Sequence, residues 1–225
     1  MAARYAIYWI PPPESALARA AARWFAAGDA ALTEAPRHYG FHATLKPPFA
    51  LAAGATRFAL ETALEGFAAQ QAPVALPPLE AATLGGFVAL VAARTSPALR
   101  ALAEACVETF DPFRRPLTRK EIAARSPGLT PRQRELLLRW GYPYLFDQWR
   151  FHLTLTGRIA DPAQRSAIAG KLARRFAPAL GSPVVLAEVS LCAQPDRAAP
   201  FAELRRYLLR AGRAPRKMNS RSLPS

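Results

Sequence analysis

The sequence predicts an α+β fold, on three observations. Segments of strand-like alternation and segments with helical apolar stripes succeed one another along the chain. The hexapeptide Phe41-His42-Ala43-Thr44-Leu45-Lys46 returns 110 residues later as Phe151-His152-Leu153-Thr154-Leu155-Thr156, with four of six positions identical. Of the 225 residues, 51% are hydrophobic, enough for the sizeable core that one large domain or two small lobes would need.

In chain order, Tyr5 to Ile10 reads as a strand. Pro12-Pro13 are expected to open a helix that runs through Ala16 to Ala27 and stops at Gly28. Arg37 to Gly40 leads into the first copy of the hexapeptide. Thr56 to Gln70 is amphipathic, with Phe58, Leu60, Leu64 and Phe67 on one stripe. Val74 to Leu76 and Gly86 to Val91 read as strands. Ser96 is an N-cap with Pro97 at the first helical position, for a helix ending near Phe110.

A basic insertion follows, at about residues 112–148, and it carries two capping boxes, Thr118 with Glu121 and Thr130-Pro131 with Gln133, which predict helices rather than a loose linker. After the second hexapeptide, Asp161-Pro162 with Gln164 starts a helix to about Phe176, and Val184 to Cys192 makes a further strand. Phe201 to Leu209 has helix-compatible spacing. From Ala211 the chain offers little to bury, so residues 211–225 are expected to be a disordered basic tail.

The net charge of +14 is local. Residues 112–140 hold eight basic side chains against Glu121 and Glu135, and the tail adds Arg213, Arg216, Lys217 and Arg221 with no acid. Such surfaces attract polyanions or phosphorylated metabolites, or are simply solvated. No apolar run of about 18 residues exists to span a bilayer, and Met1 to Tyr5 entering a segment soon ended by Pro11-Pro12-Pro13 is a poor signal peptide. Cys106 and Cys192 lie in helical and strand patterns without ligand spacing, so structural thiols in a reducing cytoplasm are expected, with no metal site and no membrane partner.

The repeat carries the chemistry. As a strand, each copy turns Phe, Ala or Leu, and Leu to a core, and His and Thr to the other face. If the halves of a duplicated chain face each other, two imidazoles and two hydroxyls line one cleft across a pseudo-twofold axis. Cleaving a phosphodiester needs a nucleophile relieved of its proton, a leaving oxygen given one, and neutralisation of the phosphoryl charge. Imidazole, with an unperturbed pKa of about 6.5, can take either proton-transfer role near neutrality. A threonine two residues on lies about 6.5–7 Å along the same face, where its hydroxyl can bond a phosphate oxygen.

The two His-x-Thr motifs resemble those of the 2H phosphoesterase superfamily. The stretch Gly141-Tyr142-Pro143-Tyr144-Leu145-Phe146-Asp147 before Trp149-Arg150-Phe151-His152 further resembles the branch encoded in bacterial phosphonate-utilisation (C–P lyase) operons. The likeness covers roughly residues 4–210. It implies one bilobal domain of duplicated antiparallel sheets with outer helices and a central cleft, and it places a closing strand at Phe201 to Leu209. It also implies that His42 and His152 are the acid–base pair, that Thr44 and Thr154 hold phosphate, and that no cofactor is used. Around them, Lys46 continues the His42, Thr44 series and Arg150 precedes His152 on its face, so both are candidate substrate ligands, with a salt bridge or a solvated edge as the alternative. Tyr39 and Tyr144 resemble aromatics that flank such a cleft, or are plain rim residues. His38 reads as a surface histidine and Trp149 as core.

The expected function is metal-independent hydrolysis of a small cyclic phosphate ester, with a ribosyl cyclic phosphate of phosphonate metabolism as the substrate the branch suggests. RNA ends bearing a 2′,3′-cyclic phosphate or a 2′,5′ linkage are the alternative. A nucleic-acid-binding protein without turnover is the third, and it would need neither imidazole. The oligomeric state is not legible.

Overall fold

The computed structural model describes residues 3–27 and 30–211. In order, the elements are β1 (Arg4–Trp9), α1 (Ala16–Ala27), α2 (Ala30–Tyr39), β2 (Ala43–Ala50), α3 (Arg57–Gln70), β3 (Val74–Ala75), β4 (Leu79–Leu84), β5 (Phe87–Ala92), α4 (Pro97–Phe110), α5 (Arg119–Arg125), α6 (Pro131–Trp140), β6 (His152–Thr154), α7 (Pro162–Leu180), β7 (Val185–Leu186), β8 (Glu188–Gln194) and β9 (Ala202–Leu208). All strand pairs are antiparallel, in sheets ordered β2-β1-β8-β9, β4-β5-β6 and β3-β7. The α+β class is as the sequence predicts.

The two motif strands, β2 and β6, are edge strands of different sheets. The sheets are not consecutive halves of the chain: β8 and β9 complete the sheet of the first motif, and the strands of the second, β4 to β6, come between β2 and β8 in sequence. One apolar core lies behind both. Ile7, Trp9 and Leu45 enter it from the first sheet, Val88, Leu90, Leu153 and Leu155 from the second, and α1, α3, α4 and α7 add Leu17, Leu60, Cys106 and Phe176. A buried leucine or phenylalanine contributes about 1.5–3 kcal/mol, so this shared core fixes how the two edges sit together. On the other face of β1, Ala6 and Tyr8 pack with Cys192 in a small separate cluster.

Local chemistry sets most helix starts. Thr56 and Ser96 accept from the backbone N–H three residues on, and both capping boxes of the insertion form. Asp161 caps α7, which runs past Phe176 to Leu180. The first helix differs from expectation: it begins at Ala16, where the Ser15 hydroxyl accepts from the N–H of Ala18, and Pro12-Pro13 lie ahead of it. The expected stop at Gly28 and the tail from residue 212 fall outside the described residues.

Three elements depart further from the sequence reading. The approach to the first motif is a helix, α2, despite Pro36. Proline lacks the N–H that would bond the carbonyl four residues back, and the carbonyl of Leu32 accepts instead from Gly157, 2.6 Å away beyond β6. Leu79–Leu84 forms β4, pairing with β5. The expected strand at Val184 to Cys192 is two strands broken at Ala187, β7 pairing with β3 and β8 with β1. Phe201 to Leu209 contains the closing strand β9.

Candidate active site

The two motif strands are fastened together directly. Trp149, half-buried against the core just ahead of β6, donates its indole N–H to the carbonyl oxygen of Thr44 in β2, at 3.0 Å. Each histidine is then set in the same way. Nδ1 of His42 lies 3.0 Å from the carbonyl oxygen of Gly40, and Nδ1 of His152 lies 2.8 Å from that of Arg150. A carbonyl only accepts, so Nδ1 carries the hydrogen in both rings and Nε2 is the lone-pair nitrogen. Gly40 has φ 75°, a left-handed conformation that favours glycine, directly after α2.

The threonines lie where the alternation puts them. Thr44 is opposite Tyr8, and Thr154 opposite Ala89. The residues between, Ala43, Leu45, Leu153 and Leu155, are buried. Both threonines are partly exposed, and neither hydroxyl has a hydrogen-bond partner among the described residues. Thr156 is different: its hydroxyl is buried and accepts from the N–H of Val88 while donating to the carbonyl of Gly157. It is structural.

Burial lowers the pKa of His42 to about 4, partly offset by the Gly40 carbonyl, and positive charge on His152 lowers it further. Burial also lowers that of His152, offset by the Arg150 carbonyl. Of the two rings, His42 is the one held more firmly neutral. Tyr8 stacks on His42 with ring centroids 3.8 Å apart and planes 21° apart. Phe87 lies 5.9 Å from the His152 ring.

Lys46 corrects the sequence reading. Tyr8 pairs with Thr44 but Ile7 pairs with Lys46, so Leu45 is an extra residue, a β-bulge that ends the alternation. Lys46 consequently faces the core side with Ile7. It is 2% exposed, bonds the carbonyl of Val107 at 2.9 Å and pairs with Asp111 at 3.1 Å. It is not available to a ligand beside His42.

The other candidates are spread around the site. Tyr39 is exposed, makes an edge contact with His38, and faces Phe201 at 6.3 Å. Tyr144 is exposed and makes an edge contact with Tyr142, their ring centroids 5.7 Å apart. Arg150 is exposed and lines a cavity of about 500 Å³ with Val91, Arg94, Arg100, Asp147 and Trp149; neither histidine lines it. Sequence reasoning missed Tyr8, which stacks on His42. Tyr8 is in a strand the alternation found, but its partner stands just ahead of the neighbouring strand β2, a pairing that only the sheet brings about. Both cysteines are free and buried, with thiols pushed up to about 12 by burial. Among the described residues no group of three or more His, Cys, Asp or Glu is placed to hold a metal ion, and no helix is long and apolar enough to cross a membrane.

The family described as "Protein of unknown function (DUF1045)" matches residues 44–202. This chain belongs to that family. Two curated proteins, each described as ribose 1,5-bisphosphate phosphokinase PhnN, are similar to this DUF1045 chain. The one from Janthinobacterium sp. (strain Marseille) is 34% identical, over 90% of this chain and 50% of its own length. The one from Laribacter hongkongensis (strain HLHK9) is 35% identical, over 93% of this chain and 53% of its own length. The chain thus spans about half the length of the curated relatives it matches. Among solved structures, E. coli LigT complexed with 3′-AMP aligns at 17% identity and TM-score 0.46, over 93% of this chain and 99% of its own. The conserved protein ATU0111 from Agrobacterium tumefaciens str. C58 aligns at 14% identity and TM-score 0.46, over 91% and 85%. The DUF1045 match includes Thr44, His152 and Thr154, and His42 lies two residues ahead of it.

Proposed function

We propose that this chain is a metal-independent phosphodiesterase that opens a small cyclic phosphate ester by acid–base catalysis between His42 and His152. The observation that carries the reading is the repeated setting of two imidazoles on strands that the Trp149 indole bonds together, each with Nδ1 held by the carbonyl two residues back and Nε2 left for chemistry. In hydrolysis, water attacks phosphorus, one neutral imidazole takes the water proton, and the other, as imidazolium, gives a proton to the departing ring oxygen. Each such group contributes about 10²–10⁴ in rate. His42, held more firmly neutral, is the base, and His152 is the acid. The phosphate anion itself favours the protonated ring, so ligand binding charges His152. The hydroxyls of Thr44 and Thr154 donate to the non-bridging oxygens.

A ribosyl cyclic phosphate of phosphonate metabolism is the substrate we favour. The phosphonate-operon likeness of residues 141–152 supports it, as does the naming of both curated relatives for a phosphorylated ribose. The RNA-end alternative rested on the basic insertion. There Arg114 pairs with Asp111, Arg115 with Glu121, and Arg132 with Glu135 and Asp147, which reduces the free charge a polyanion would meet.

The test is turnover of ribose cyclic phosphate and of nucleoside 2′,3′-cyclic phosphates, followed by phosphorus NMR with and without EDTA. The reading expects ring opening to a monoester, unaffected by the chelator. No ring opening with any of these esters, or loss of turnover in EDTA, contradicts it.

A further inference from the structure

The two imidazoles are alike in how Nδ1 is held and unlike in what covers their faces. Tyr8 lies flat on His42, ring centroids 3.8 Å and planes 21° apart. Phe87, beside His152, stands off at 5.9 Å and is tilted by 47°. The stack is built into the sheet. Tyr8 and Thr44 are register partners on β1 and β2, so Tyr8 shares the cleft face, and His42, two residues ahead of Thr44, meets the face of its ring. On its other side Tyr8 pairs with Ser190 of β8. The phenol is 2% exposed, packed with Ala6 and Cys192, and flanked by Phe201 at 5.7 Å. It cannot swing away from His42 without opening that cluster.

The charge around the stack is as informative as its geometry. Among the described residues no carboxylate is bonded to His42; its one bonded partner is the carbonyl of Gly40. The ionisable groups that face the stack are His152 from β6, Tyr39 from α2 beyond Phe201, Cys192 against Tyr8, and Arg4, 5.6 Å from the Phe201 ring. None is a carboxylate. Farther along the same sheet, Glu203 is taken by Ser190 and Arg206, and Glu188 by Arg206. An imidazole that takes a proton here becomes a cation with no counterion from the protein, and burial disfavours that cation. The negative face of an aromatic ring attracts a cation, most strongly where water is excluded. The stack therefore works against burial.

We infer that Tyr8 is a positioning residue for catalysis: its ring fixes the plane of the His42 imidazole and stabilises the positive charge that His42 acquires on taking the water proton. The inference rests on the phosphodiesterase reading above and deepens it, because it gives the division of roles a cause in the fold. An aromatic face over a general base lowers the barrier, since charge grows on that ring as the proton arrives. The same face over the general acid would hinder it, since there the charge must leave. The stack covers one ring of the pair, which makes His42 the base and His152 the acid. After ring opening His42 gives its proton to solvent and His152 regains one, so both return to their starting states.

The test keeps the shape of the ring and changes its face. Tyr8→Phe removes a hydroxyl that has no hydrogen-bond partner among the described residues. The same substitution is then made with phenylalanines carrying one, three or five ring fluorines, which drain the negative face stepwise. Along that series kcat for adenosine 2′,3′-cyclic phosphate is expected to fall by about 10-fold in all, and the NMR titration midpoint of His42 to move to lower pH with it, at constant Tm and constant His152 midpoint. A role in packing alone would move Tm and leave the midpoint. A flat kcat and a flat His42 midpoint overturn the inference and leave the phosphodiesterase reading standing; a kcat that falls at constant His42 midpoint, or a His152 midpoint that moves in its place, overturns it as well. If the ester is not turned over, a His42 midpoint that falls along the series keeps the charge-stabilising stack and removes the reaction, whereas a flat one removes both. Should the fluorinated chains fail to fold, Tyr8→Phe is compared with Tyr8→Leu. Phe restoring most of a roughly 10-fold loss of kcat seen with Leu supports the inference, and equal kcat in the two overturns it.

Discussion

The indole of Trp149 donates to the carbonyl oxygen of Thr44 across 105 residues of sequence, so the entry to one motif strand is bonded to the backbone of the other. This bond links edges of two sheets that share no ladder. Trp149→Phe keeps the ring and removes the donor. A lost hydrogen bond of this kind costs about 1 kcal/mol, which for a chain of this size lowers Tm by about 2–4 °C. The account expects kcat to fall by about 10-fold or more, because acid–base catalysis depends on the relative placement of the rings. Thermal melts and steady-state kinetics check both.

Lys46 is expected to matter for stability and not for binding. Its ammonium is buried against Asp111, which also accepts from Arg114. Lys46→Met should destabilise the fold by about 1–3 kcal/mol, because Asp111 keeps one partner and the methionine fills much of the space. The KM for a cyclic phosphate should stay near the wild-type value. A large rise in KM with an unchanged Tm would return Lys46 to the cleft.

The depressed pKa of His42 makes stability depend on pH. Its folded value of about 4 lies below the unfolded value of 6.5, so the unfolded chain binds the extra proton first as pH falls. The contribution is fully present above pH 6.5 and is lost progressively between that value and about 4. Wild type should therefore lose more Tm across this window than His42→Gln does, as melts in matched buffers would reveal. A phosphate-bearing ligand should reduce that difference.

Gly40→Ala tests the support of the first ring. With φ 75°, an alanine there costs about 1–2 kcal/mol of backbone strain. The strain falls on the carbonyl that holds His42 Nδ1. We expect a loss of kcat beyond what the same change causes at Gly54, which has φ 79° but lies in the turn between β2 and α3. Equal kinetics for the two variants would show that the carbonyl does not set the ring.

Much of this was legible because its causes are local. The capping boxes at Thr118 and Thr130 need only residues three apart, and the alternation of Phe-His-x-Thr-Leu places core and cleft faces within one strand. Non-local causes hid the rest. Pro36 reads as a helix breaker until Gly157 arrives to take the carbonyl it frees. Leu79–Leu84 has Thr83 as its one β-branched residue, beside two alanines and a glutamate that are poor strand formers, yet β5 recruits it. Lys46 was misplaced because the bulged residue Leu45 turns the next side chain to the opposite face.

The most direct test is the rate of cyclic-phosphate opening by His42→Ala and His152→Ala, each with folding verified by its melt. The account predicts a fall of about 10²–10⁴ in kcat for each, with the double variant losing much less than the product of the two, because the pair acts as a unit. Either single variant retaining turnover within about threefold of wild type, well short of the loss expected for an acid–base group, would contradict the central claim.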